Sequence, residues 1–173
     1  MISGVKVAVL VFVVSILDVS VFSDVKILGG VPDLLLVTVV AVALLRGAVT
    51  GACAGFFAGL VVDTATLETL GLSSLLLTLI GYWVGRYGET TGHDRTHAPF
   101  LSVAVVTLLY ALGGLALRFV LGEPAPARVV LLDSLFQGIA LNLLLTVPIY
   151  AVVRRLLPPR LRVMRGEGAP ALG

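Results

Sequence analysis

Apolar residues fall into six runs along the chain: Val5–Phe22, Pro32–Leu45, Gly47–Val62, Leu70–Val84, Phe100–Leu121 and Val129–Val153. The short segments between them and the tail after the last run hold most of the charges. A membrane-crossing helix needs about 20 apolar residues, with the accepted range starting near 17. The first, fifth and sixth runs meet that requirement alone. The second and third are short and are separated by Arg46. As one continuous helix, Pro32–Val62 would be about 46 Å long at 1.5 Å per residue, against a hydrocarbon core of about 30 Å. It would also place Arg46 near mid-membrane, at a cost of at least about 2.5 kcal/mol. A tight helical hairpin with Arg46 at its tip avoids both problems. The pattern therefore predicts six spans, at about 5–22, 32–45, 47–62, 70–86, 100–121 and 129–153. Residues 1–157 form one polytopic domain, and residues 158–173 form a basic cytoplasmic tail.

Composition agrees with an all-α integral membrane protein. Of 173 residues, 58% are apolar and 13% charged, about half the charge of a typical soluble domain. The mean hydropathy of +1.10 leaves too little polar surface to coat a water-soluble globule. Lys6, the stretch Val7–Leu17 and Ser23 outline a signal peptide. The apolar run continues past Leu17 to Phe22, interrupted by Asp18, and the first segment reads better as a retained helix.

Charge distribution sets orientation. With six spans and both termini in the cytoplasm, Lys6, Arg46, Arg86, Arg95, Arg154, Arg155, Arg160, Arg162 and Arg165 lie inside. Only Lys26, Arg118 and Arg128 lie outside, so nine of the twelve basic residues obey the positive-inside rule. Counting the hairpin as one span would flip the N-terminus and leave the C-terminus cytoplasmic. The arginines from Arg154 to Arg165, broken by Pro158-Pro159, suit an anchor against anionic headgroups or a docking strip for a cytoplasmic partner.

The sharpest local pattern lies in the third run, where Gly47, Gly51, Gly55 and Gly59 recur at every fourth residue. Residues four apart form a ridge along a helix, and a bare ridge lets another backbone approach closely. Ala48 with Ala52, and Ala54 with Ala58, widen the small surface. The ridge suits either a neighbouring helix of the same chain or the transmembrane helix of a partner. Gly81 and Gly85 repeat the theme once in the fourth run.

Asp63 extends the ridge by one more step of four. A carboxylate at the C-terminal end of its own helix opposes the macrodipole. That misfit points to another task, such as bonding backbone amides in the Asp63–Thr69 turn, pairing with a base, or terminating the span. Asp33, following Pro32, suits the positive end of the second helix. Asp18 lies about a turn from the end of the first and reaches toward the interface. On the sixth, Asp133, Gln137 and Asn142, with Ser134 and Gly138 between them, give a polar inner face that Pro148 would kink. That face serves interhelical hydrogen bonding or lines a candidate polar cavity.

Other chemistry is thin. His93 and His97 are the only histidines and lie in a loop without further ligands, and Cys53 is the only cysteine. No phosphate-binding loop, nucleophile elbow or zinc-protease motif is present. No enzyme activity, cofactor, metal or nucleic-acid partner is expected.

Three stretches resemble the rod shape-determining protein MreD family. They are Pro32-Asp33-Leu34-Leu35-Leu36; Gly55-Phe56-Phe57-Ala58-Gly59-Leu60 followed by Asp63; and Gly71 with Leu75 before an apolar run ending Gly81-Tyr82-Trp83-Val84-Gly85. Length, helix count and the basic tail match too. The resemblance implies a non-catalytic membrane scaffold of the bacterial elongation machinery, multi-pass in the inner membrane. Its implied partner is MreC, a single-span protein with a periplasmic domain. Indirect partners are a SEDS glycosyltransferase, a class B penicillin-binding protein and the MreB cytoskeleton, together supporting lateral peptidoglycan synthesis. The implied fold is a six-helix bundle similar to the S-components of energy-coupling-factor transporters. The family motif positions fall on Pro32, Asp33, Gly55, Phe56, Gly59, Asp63 and Gly71. The alternative is a solute-binding transporter component. Against it, S-components carry an Ala-x3-Ala-x3-Ala strip on the first helix, where this chain offers only Ala8.

Overall fold

The computed structural model describes residues 2–18, 20, 33–66, 70–91, 98–122 and 128–157. They form six helices: α1 (Ile2–Leu17), α2 (Leu34–Arg46), α3 (Ala48–Thr66), α4 (Leu72–Thr91), α5 (Ala98–Val120) and α6 (Arg128–Leu156).

The second helix is the axis of the molecule. Its sequence, Leu-Leu-Leu-Val-Thr-Val-Val-Ala-Val-Ala-Leu-Leu-Arg, has no polar face, and a helix apolar all round must be enclosed. Here protein encloses it. Every residue from Leu35 to Arg46 is buried, and α2 touches each of the other five helices. On one side its core partners include Val7 and Val11 of α1, Ala54 and Ala58 of α3 and Val153 of α6. On the other they include Ile80 and Val84 of α4 and Val103 and Val106 of α5.

Six spans were expected, and the six helices are not alike. Three are long and apolar enough to cross a bilayer: Ala48–Thr66, Pro99–Val120 and Leu135–Leu156. Three such helices mark a membrane protein. The apolar parts of α1 and α2 are shorter. At 13 residues, α2 is about 20 Å long, well short of a hydrocarbon core of about 30 Å. Its shortness follows from its position, because the helices around it face lipid in its place. The surrounding helices turn large apolar side chains outward, among them Val9, Phe12, Phe57, Trp83, Leu101, Leu112, Phe136 and Leu144.

The turn between α2 and α3 is a single residue, Gly47. Its N–H donates to the Ala43 carbonyl at the end of α2, and its carbonyl accepts from Gly51 N–H to start α3. With φ 90° and ψ 178°, it occupies a backbone region open almost only to glycine. Arg46 precedes it as the buried last residue of α2.

Candidate functional site

The glycine ridge of α3 packs against α4. A Cβ built on Gly55 would collide with the Leu77 carbonyl, one on Gly51 with the Gly81 carbonyl, and one on Gly59 with the Ser74 backbone. The fit is reciprocal, since a Cβ on Gly81 would strike the Gly51 carbonyl and one on Gly85 the Ala48 backbone. As numbers rise along α3 they fall along α4, so the two helices run antiparallel with their backbones in contact. Residues without side chains permit this, and the close contact supplies packing that lipid cannot match. The α2 helix joins the same block: a Cβ on Gly51 would also press on Ala43, and one on Gly88 would lie 2.8 Å from the Leu44 carbonyl. Of the two occupants the ridge suits, a helix of the same chain and a partner's helix, the structure places the first against it.

Each end of this zipper is closed by a carboxylate. Asp63 accepts from Gly71 N–H at 2.8 Å, Ser73 N–H at 3.1 Å and Ser74 N–H at 3.3 Å. It is 1% exposed. The amides it binds lie in the first turn of α4, beyond the Asp63–Thr69 turn where they were expected. The misfit at the end of α3 thus becomes a fit at the positive start of α4, where orphan N–H groups need acceptors. Gly71, with φ 95°, makes the left-handed turn that brings those amides round. At the other end Glu89, near the end of α4, accepts from Ala48 N–H, the first amide of α3, at 2.9 Å. Its second oxygen lies 3.5 Å from Arg86. The sequence reading missed Glu89, although the signal was the one that marked Asp63: an acid in the last turn of its own helix.

A second cluster surrounds the N-terminus of α2. Asp33 caps its own helix, accepting from Leu36 N–H at 2.7 Å. Asp18 reaches from the end of α1 and accepts from Leu34 N–H at 2.9 Å. Asn142 of α6 accepts from Asp33 N–H at 2.9 Å and donates through Nδ2 to Thr107 Oγ1 of α5 at 3.2 Å. Asn142 is 1% exposed. Four helices meet here because a short central helix presents its orphan amides inside the bundle. Without water, side chains must satisfy them. Asp18 and Thr107 join the site through packing that sequence spacing does not reveal.

The polar face proposed for α6 comes together only in part. Asn142 is committed to the α2 junction, Gln137 is half-buried, and the Asp133 side chain lies outside the described residues. Pro32, His93 and His97 also lie outside them. Phe56 contributes its carbonyl, which accepts from Ser74 Oγ at 2.9 Å, while its ring meets Phe57 edge-on at 5.5 Å on the outer face. Cys53 is free and exposed. Between α4 and α5 runs an open groove of about 220 Å³, lined by Trp83, Tyr87, Leu101, Val105 and Leu109 among others. No group of three or more metal-ligating side chains occurs among the described residues.

The family model described as rod shape-determining protein MreD matches residues 2–158. No curated protein and no solved structure matches the chain.

Proposed function

The chain belongs to the rod shape-determining protein MreD family, and from that premise we propose that it is a non-catalytic scaffold of the bacterial cell-elongation machinery. In this reading it spans the inner membrane six times with both termini in the cytoplasm. It binds the transmembrane segment of an MreC-like single-span protein and, through it, supports lateral peptidoglycan synthesis by a SEDS glycosyltransferase and a class B penicillin-binding protein. The MreB cytoskeleton would be linked on the cytoplasmic side. The observation that carries this reading is the family match over 2–158. The site geometry supports it from another direction, since three of the acids and the asparagine at the helix junctions are spent on helix termini. Asp63, Asp33, Asp18 and Asn142 all bond backbone amides.

The α3 ridge is a poor candidate for the partner surface, because α4 already covers it. Contact by a partner helix falls instead to the outward faces. Affinity purification from native membranes tests the reading. Recovery of a single-span protein with a periplasmic domain, or of cell-wall synthases, is expected. Recovery of neither, with a stoichiometric small molecule found by native mass spectrometry, would replace the scaffold with the solute-binding alternative.

A further inference from the structure

We propose that α5 and α6 form a movable pair, latched by the Asp33–Asn142–Thr107 junction to a rigid α2–α3–α4 block, on which α1 also packs. The inference does not depend on which partner the protein engages.

The block is rigid for a physical reason. Backbone touches backbone from Ala48–Gly85 to Gly59–Ser74, with α2 pressed in at Ala43 and Leu44. Both ends are clasped by carboxylates. Close-packed interfaces of this kind have few alternative arrangements, because a shift of a few tenths of an ångström creates collisions.

The α5–α6 pair is held differently. Beyond Thr107 no described residue of α5 is buried, and of α6 residues 135–141 only Gly138 is. From Thr107 to Val120 and from Arg128 to Asn142, each helix continues for about 20 Å past the junction. Large branched side chains gain little from one another that they would not gain from lipid. Directional bonds to α2 therefore matter more here than in the zipper. Asn142 lies at the crossing, with one amide atom on α2 and the other on α5. Losing it frees α5 and α6 from the α2 terminus together, while α1 stays packed on α2 and α3.

The full chain in lipid nanodiscs allows a direct test, because Cys53 is its only cysteine and is exposed on α3. Spin labels at Cys53 and at Leu79→Cys of α4 report on the block. Labels at Cys53 and at Leu144→Cys of α6 report between block and pair; both leucines face outward. With Asn142→Leu, the Cys53–79 distance distribution is expected to stay single and narrow, while the Cys53–144 distribution broadens or splits. Hydrogen exchange at the first-turn amides of α2 and along α5 and α6 should rise about three- to tenfold, with α3 and α4 unchanged. An unchanged Cys53–144 distribution, or equal broadening of both pairs, overturns the latch. Should Asn142→Leu fail to fold, exchange in the unmutated protein still decides. Amides of α5 beyond Thr107 and of α6 before Asn142 should exchange at least about tenfold faster than those of α3 and α4, and equal protection overturns the proposal.

Discussion

The two polar-capped regions solve the same problem by opposite means. In the α3–α4 zipper, glycines let backbones touch, and the carboxylates of Asp63 and Glu89 close the ends of an interface that packing already holds. At the N-terminus of α2, the side chains of Asp18, Asp33 and Asn142 reach across from three helices to its first amides. The difference teaches that polar groups in an apolar bundle do not all have the same weight. Where backbones already touch, a buried acid finishes a terminus. Where side chains pack instead, a polar group can also join helices.

The comparison would break first at Gly55. Gly55→Leu is expected to destabilise the protein by about 3 kcal/mol or more, because the added side chain meets the Leu77 backbone rather than a movable side chain. Steric trapping or thermal unfolding in bicelles would measure it, and a loss below about 1 kcal/mol would show that the zipper yields. The same substitution is thus a poor probe of partner binding, since lost co-purification would report a damaged fold. Next comes Asp63→Ala, expected to cost about 2–3 kcal/mol by stranding three buried amides. Asp63→Asn should fall between, because only one of its two oxygens remains an acceptor. Asn142→Leu should cost about 1–2 kcal/mol while leaving hydrogen exchange in α3 and α4 unaltered. Glu89→Ala is expected to cost about 0.5–1 kcal/mol, less than Asp63→Ala, since Glu89 caps one amide at an exposed end. A larger loss from Glu89→Ala than from Asp63→Ala would reverse the reading of which clasp matters.

Much of the fold was legible because apolar runs, Arg46 and the glycine period are local signals. The ridge Gly47–Gly51–Gly55–Gly59 showed which face of α3 lies close to another helix, but a face does not name its neighbour. Its match on α4 becomes visible only when Gly81 and Gly85 are aligned antiparallel. Asp63 was readable through its conflict with its own helix dipole, and Glu89 could have been read in the same way. The α2 junction was not legible. Asp33 and Asn142 lie 109 positions apart, and nothing in their spacing says that α6 supplies an acceptor to α2. Nor does the length of α2 show whether lipid or protein encloses it. A short apolar run suits both, and only the surrounding helices decide.

The enclosed α2 has a consequence for the order in which the chain is made. Protein is synthesised from the N-terminus, so α2 is made before nearly all of its wrapping. Being too short to settle alone, it enters the bilayer most readily as a hairpin with α3 through Gly47, and α4 then zips on from the adjacent stretch of chain. The Asp33 N–H at its start must wait for Asn142, in the sixth helix. Until α6 arrives, the Asp33 N–H lacks the acceptor it holds in the finished molecule. The sixth helix therefore completes the cap of the central one, and a chain cut short before it is marked by an unpaired amide where α2 begins.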